Sequence, residues 1–369
     1  MNNSTRNPIR AIAFYLPQYH PIPENDAWWG KGFTEWTNVT KAKPLYRGHE
    51  QPNLPGELGF YDLRLENTRI EQANLAKSYG IEGFCYWHYW FGNGKKLLEL
   101  PLNEMLYTRK PNFPFCLAWA NESWTGIWHG MEDNVLAKQE YPGLEDYRKH
   151  FYNILPAFKD ARYIKLNEKP IFLVYRPHKI PDTKEFTSYW NQLAVKEGLA
   201  GIHFIAIDQN NDFKSYGFDG IVPNSPTPVL AKIKRSLVER LILKLTKINI
   251  ASIYQRINGK PTLVDYKKFV NHNDTHQLEL NEYPVILPGW DNTPRSGSKG
   301  LVLTNSTPEL FEEHTNKTIS RIIHKPLDNR FLFIKSWNEW AEGNVLEPTA
   351  KNGFQYLEAF KKSADKFRI

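Results

Sequence analysis

Eight short apolar runs limit what this chain can fold into. They occupy residues 10–15, 83–87, 115–120, 170–175, 202–208, 220–223 and 284–288, with the last beginning Phe331-Leu332-Phe333-Ile334. Each is too short for a buried helix and too continuously apolar for a strand with one wet face. Strands of this kind are buried on both faces, as in parallel β/α units. Helical patterns fall between many of them, at residues 67–79, 95–107, 144–159, 183–196 and 353–366. Eight β/α units predict an α/β fold of the (β/α)8 TIM-barrel class, and the 369 residues fit one such catalytic domain over 1–369.

Polar residues follow the apolar runs with a regularity that matters for function. Tyr15, His88, Asn121, Arg176, Asp208, Trp290 and Glu339 all stand at C-terminal strand ends. Barrel enzymes assemble their sites at that face, whereas an open doubly wound sheet gathers them at one switch point. The expected barrel carries long loops there, the longest over residues 22–65 with Trp28, Trp29, Glu35 and Trp36. The sequence has no glycine-rich dinucleotide or Walker motif and no internal repeat.

The last strand runs into Lys335-Ser336-Trp337-Asn338-Glu339-Trp340-Ala341-Glu342-Gly343. Two carboxyl groups close together are what glycosidic-bond chemistry needs, one as acid and one as base or nucleophile. Glu339 lies between Trp337 and Trp340, which would desolvate it and raise its proton affinity. Glu339 and Glu342 are therefore the catalytic candidates, with the two roles open on spacing alone. Glu347 is expected to be held in its loop by Pro348.

Aromatics make up 14% of the chain, with 12 Trp. Flat sugar faces stack on such rings, so Trp87, Trp119, Trp124 and Trp290 are expected stacking surfaces. Glu122 and Asp208 are candidates for bonds to sugar hydroxyls, and His20 and His88 for hydrogen bonding. Arg176 and Arg295 could bind an anionic sugar or phosphate, or pair with a loop acid. Tyr15, Tyr19, Trp36, Asn121, Tyr175 and Asn338 complete the expected substrate-binding set. The two cysteines, Cys85 and Cys116, lack ligand spacing, so neither a metal nor another cofactor is expected.

The chain carries a net charge of +7. Residues 229–260, between the sixth and seventh strands, hold eight cations and the single acid Glu239, which matches that whole excess. Leucines and isoleucines interleave them, as in a basic amphipathic helix. Such an insert either packs on the barrel with a solvated face or associates peripherally with an anionic membrane. Its confinement argues against a nucleic-acid partner. No apolar run reaches the ~18 residues of a membrane span, and the N-terminus lacks a signal-type apolar region. The expected location is cytoplasmic, peripheral at the inner membrane face if the insert binds there.

Several stretches together carry a family resemblance. They are Ala13-Phe14-Tyr15-Leu16-Pro17-Gln18-Tyr19-His20-Pro21, Gly32-Phe33-Thr34-Glu35-Trp36, Phe84-Cys85-Tyr86-Trp87-His88-Tyr89-Trp90, Trp119-Ala120-Asn121-Glu122 and Trp337 to Gly343. From about residue 10 to 350 the chain resembles the WbsX-like, glycoside hydrolase family 99-like proteins of bacterial O-antigen and capsule clusters. The resemblance implies a barrel similar to the family 99 endo-α-mannosidases, and an oligosaccharide or polysaccharide substrate, lipid-linked in the biosynthetic setting. It also implies roles: Glu339 as the base that deprotonates the sugar 2-hydroxyl, and Glu342 as the general acid. The similarity departs at Ala341, where the hydrolase motif has a bulkier residue. Three functions follow as expectations. They are an endo-acting retaining glycosidase, a glycosyltransferase or transglycosylase of surface-polysaccharide assembly, and a non-catalytic glycan-binding protein.

Overall fold

The structure is a computed structural model that describes residues 8–126, 131–208, 212–224, 226, 229–230, 259–272 and 276–368. Eight strands form the predicted barrel: β1 Arg10–Tyr15, β2 Gly83–Trp90, β3 Phe115–Trp119, β4 Lys169–Val174, β5 His203–Asp208, β6 Gly220–Pro223, β7 Val285–Ile286 and β8 Phe331–Ile334. They pair in parallel in the order β6-β5-β4-β3-β2-β1-β8-β7. Between β6 and β7, among the described residues, the ring closes through one bridge, Ile221 to Glu282. There the Ile221 amide donates to the Asn281 carbonyl at 2.9 Å, and the Tyr283 amide donates to the Ile221 carbonyl at 2.8 Å. The alternating helices are the physical reason for the parallel order, since each returns the chain to the same end of the barrel.

Ten helices lie among the described residues: α1 Pro23–Trp29, α2 Glu35–Lys41, α3 Glu66–Ser78, α4 Leu100–Thr108, α5 Leu144–Phe158, α6 Thr183–Lys196, α7 Tyr266–Asn271, α8 Thr293–Ser296, α9 Pro308–Ser320 and α10 Gln355–Lys366. None is long and apolar enough to cross a membrane. Two expectations need correction. The 22–65 loop is not structureless, because Pro23 starts α1 and the paired hydroxyls of Thr34 and Thr37 box the start of α2. The helix expected from residue 95 starts at Leu100, because Lys96–Leu97 folds back as a strand on the end of β2. A small parallel sheet, Thr262–Asp265 on Leu301–Thr304, flanks β7 and was not anticipated. Most of the basic 229–260 insert lies outside the described residues.

Cys85 and Cys116 sit opposite each other on β2 and β3, both buried free thiols. One side chain adds to the backbone ties between the C-terminal stretch and the first strand. The Asn338 amide accepts from the Leu16 amide at 2.7 Å and donates to the Leu16 carbonyl at 3.0 Å, imitating a neighbouring strand. Tyr19 adds a hydroxyl bond to the Asn338 carbonyl. Asn338 is wholly buried, and so is Leu16.

Replacing Asn338 with Leu leaves both polar groups of Leu16 buried without partners. The expected loss is about 2–4 kcal/mol, read as a lower urea midpoint with an unchanged slope.

Candidate active site

At the C-terminal mouth of the barrel lies a cavity of about 250 Å³. Its aromatic wall comes from Trp87 and Tyr89 on β2, Tyr175 after β4, Trp124 after β3, and Trp29 and Phe33 from the β1 loop. Trp87 is held flat against Phe14, with ring centroids 5.0 Å apart, and edge-on to Tyr175 at 5.7 Å. Trp124 stands edge-on to Tyr89 at 5.2 Å. Rings locked in this way present apolar faces at little entropic cost.

The polar wall holds Glu35, Glu122, Glu339, Glu342, Arg295 and Lys335. Arg295, in the short helix α8, donates from each of its three nitrogens to a different carboxylate. Nε reaches Glu35 at 2.7 Å, Nη1 reaches Glu342 at 2.6 Å and Nη2 reaches Glu339 at 3.1 Å. The second oxygen of Glu342 accepts from the Asn344 side chain at 3.2 Å. Glu339 is nearly buried, and its proton affinity rises to about 8. Burial is the largest cause and the Glu342 charge comes next, with Arg295 pulling the other way. Burial also draws the Lys335 ammonium below its ordinary range against the opposing pull of Glu342 and Glu339, and its Nζ lies 5.0 Å from the Trp290 ring centre.

Gly343 makes this arrangement possible. Its φ is +62°, and a Cβ there would lie 2.7 Å from the Asp291 amide nitrogen. That close approach lets the Asp291 amide donate to the Glu342 carbonyl at 2.7 Å, fixing the β7 loop to the β8 loop.

Of the residues expected from sequence, Glu339, Glu342, Arg295, Trp87, Glu122, Trp124 and Tyr175 line the cavity. Glu122 is bound by Arg176 at 3.0 Å and by Lys179 at 3.1 Å. The others are placed elsewhere and hold the mouth together. Tyr15 donates to Gln72, Trp36 to the Tyr61 carbonyl and Trp119 to the Trp90 carbonyl. Tyr19 and Asn338 belong to the β1–β8 lock. His20 is buried against the Pro17 carbonyl. His88 is buried 2.8 Å from His150, and desolvation lowers its proton affinity to about 3. Asn121 bridges the ends of β3 and β4 through both its amide atoms and the Arg176 backbone. Asp208 pairs with His178 at 3.4 Å. Trp290 packs beside Lys335.

Glu347 is not simply a loop residue held by its proline. It is buried, accepts from Tyr61 at 2.8 Å and from Trp340 and Gln72 at 2.7 Å each, and burial raises its proton affinity to about 7. It forms a polar floor beneath the motif. Ala341 is also buried and takes no part in the cavity wall.

Glu35, Lys335, Tyr89, Gln18 and Asn38 are cavity residues that sequence reasoning did not select. The Thr34 and Thr37 helix-start signal next to Glu35 could have drawn attention to it. Nothing in the spacing could have placed Arg295 among three glutamates. Among the described residues, no group of three or more His, Cys, Asp or Glu side chains could hold a metal ion.

The profile of a family described as Glycosyltransferase WbsX matches residues 11–360. The chain belongs to the WbsX family. It is 36% identical, over 363 residues and 96% of its length, to the uncharacterized protein WxcX of Xanthomonas campestris pv. campestris, in each of two strains. The chain spans about half the length of these relatives. Its fold is similar to the GH99 endo-α-mannosidase of Bacteroides thetaiotaomicron in complex with bis-tris-propane. The TM-score is 0.58 and the identity 14%, over 97% of both chains. It is also similar to a glycoside hydrolase-like protein, at TM-score 0.60 and 14% identity over 99% of this chain and 96% of that one. These likenesses fix the (β/α)8 barrel of the WbsX chain.

The raised proton affinity of Glu339 has a consequence for stability. Between about pH 5 and pH 8 the unfolded chain ionises this carboxyl while the folded chain keeps its proton, so its stabilising contribution fades as pH rises. Glu339→Gln is expected to abolish that loss. Urea unfolding at pH 5 and pH 8 should show the variant gaining on the parent by on the order of 1–3 kcal/mol at the higher pH.

Proposed function

We propose that the WbsX chain is a retaining, endo-acting enzyme of glycosidic-bond chemistry on bacterial surface polysaccharide, with Glu339 and Glu342 as the reacting carboxyls. The observation that carries this reading is the pair itself. Two glutamates, bridged by one guanidinium, stand in the wall of a single aromatic-lined cavity at the barrel mouth.

In this reading Glu339 takes the proton from the sugar 2-hydroxyl, and O2 attacks C1. The bond from C1 to the leaving oxygen breaks, and Glu342, which in the reacting form carries the pair's one proton while Glu339 is ionised, gives that oxygen the proton. Glu342 then removes a proton from the incoming water or sugar hydroxyl, which attacks C1. The C1–O2 bond opens, and Glu339 returns its proton to O2. Two displacements at C1 give net retention. A carboxylate of raised proton affinity is the stronger base once ionised, which suits Glu339 to a weakly acidic hydroxyl.

Transfer to a glycan acceptor uses the same steps with water excluded, and the description of the family as glycosyltransferases favours that outcome. A lipid-linked substrate at the cytoplasmic membrane face, with the 229–260 insert against anionic lipid, belongs to this second reading.

The test is a screen of defined oligosaccharides, with and without acceptor sugars, in which product anomers are followed by NMR. Retention is expected, and Glu339→Gln or Glu342→Gln should lower turnover by about 10²–10⁴-fold. Inversion, or full turnover by either variant, would reject the assignment. The reacting form holds one proton between the two carboxyls, so the rate should fall as pH rises through about 8, where the pair loses it. A rate that keeps rising through that range would reject a mechanism that needs a protonated acid in this pair.

A further inference from the structure

Arg295 and Glu35 have no part in the chemistry above, yet they sit at its centre. The side chain of Glu35 is only 2% exposed, so it offers a ligand almost no surface. Its carboxylate lies against Nε of Arg295, leaving the two Nη nitrogens for Glu342 and Glu339. The four residues come from three loops, those after β1, β7 and β8. Both ends of the Glu35–Arg295 link are anchored by bonds of their own. The Glu35 amide donates to the Gln18 carbonyl at 2.9 Å. The start of α8 is set by Asp291, which accepts from the Thr293 amide and hydroxyl at 3.0 and 2.6 Å and from His49 and Gln51 at 2.7 Å each.

We propose that Arg295 and Glu35 are a positioning pair for the two motif glutamates: the guanidinium fixes the carboxylates of Glu339 and Glu342 against each other, and Glu35 fixes the guanidinium. The inference rests on the reading of Glu339 and Glu342 as the reacting carboxyls. The three carboxylates are met by three separate nitrogens of one rigid planar fork, whereas lysine carries all its donors on a single nitrogen, so lysine does not reproduce the arrangement. The pair also sets the charge felt by Glu339. Facing that carboxyl are Glu342 and Lys335 from the β8 segment, Arg295 from α8, Glu35 from α2, Tyr19 from the β1 loop and Tyr89 from β2. Removing Arg295 takes away a cation, and removing Glu35 takes away an anion, while the other four remain.

The two removals should therefore move the titration of Glu339 in opposite directions. The experiment is carbon-13 NMR of the whole chain labelled in its glutamate carboxyls, with Glu339→Gln used to assign the signal. Arg295→Met should raise the Glu339 midpoint by about one unit or more, and Glu35→Gln should lower it. Arg295→Lys keeps the charge and should leave the midpoint nearer the parent value, while oligosaccharide turnover still falls because the fork is lost. Millimolar guanidinium added to Arg295→Ala should bring the midpoint back down. Residues that merely fill space would, when removed, admit water and lower the midpoint in both Arg295→Met and Glu35→Gln. Movement in the same direction, or no movement, overturns the proposal. The titration needs no substrate, so opposite shifts in a chain that turns over no glycan would reject the proposed function and leave the pair standing.

Discussion

A single guanidinium serving three carboxylates is the constraint around which the mouth of this barrel is built. Removing charges from water is costly unless they are paired and hydrogen-bonded. Here three glutamates share Arg295, with Lys335 in the same wall, and a retained proton on Glu339 brings the cluster nearer to neutrality. The loops after β1, β7 and β8 must all arrive for that pairing to exist. The bond from Glu35 to Gln18 within the first of these loops, and that from Asp291 to Glu342 between the other two, are therefore part of the electrostatics as well as the packing.

The motif on β8 divides its residues between two faces. Glu339 and Glu342 point to the cavity. Asn338 faces the other way, onto the backbone of Leu16, while Trp337 and Trp340 are buried. Beneath them Glu347 gathers Tyr61, Gln72 and the Trp340 indole into a closed polar floor. A buried network with its donors and acceptors matched is rigid, and rigidity under the Glu339–Glu342 pair keeps its geometry fixed. The glutamates can stand in a desolvated wall because the residues around them in sequence are committed to the scaffold.

Membership in the WbsX family and the barrel likeness to GH99 structures fit the same frame. The fold supplies a mouth, and loops decide what enters it. The resemblance legible in the motifs named this family, and the match over residues 11–360 bears it out. Several strand-end residues are engaged by the scaffold itself, as Asn121 is between β3 and β4. Polar groups at a barrel rim must find partners before a ligand can use them. A strand-end position by itself therefore does not tell a ligand contact from a brace.

Sequence alone determined the barrel, because continuous apolar runs of strand length separated by helical segments can bury themselves in few other ways. It also determined the glutamate pair, because two acids beside tryptophans at the end of a buried strand are unusual. It could not decide that Arg295 and Glu35, 260 positions apart, would meet over that pair. Nor could it decide that His88 would turn inward to His150, or that Glu347 would become the buried hub of a polar floor. Those outcomes depend on which loops the closed ring brings to one end. Among the described residues, closure itself rests on a single bridge between Ile221 and Glu282, on either side of the basic insert. Pairings across such distances leave no periodicity to read, so only the tertiary structure could decide them.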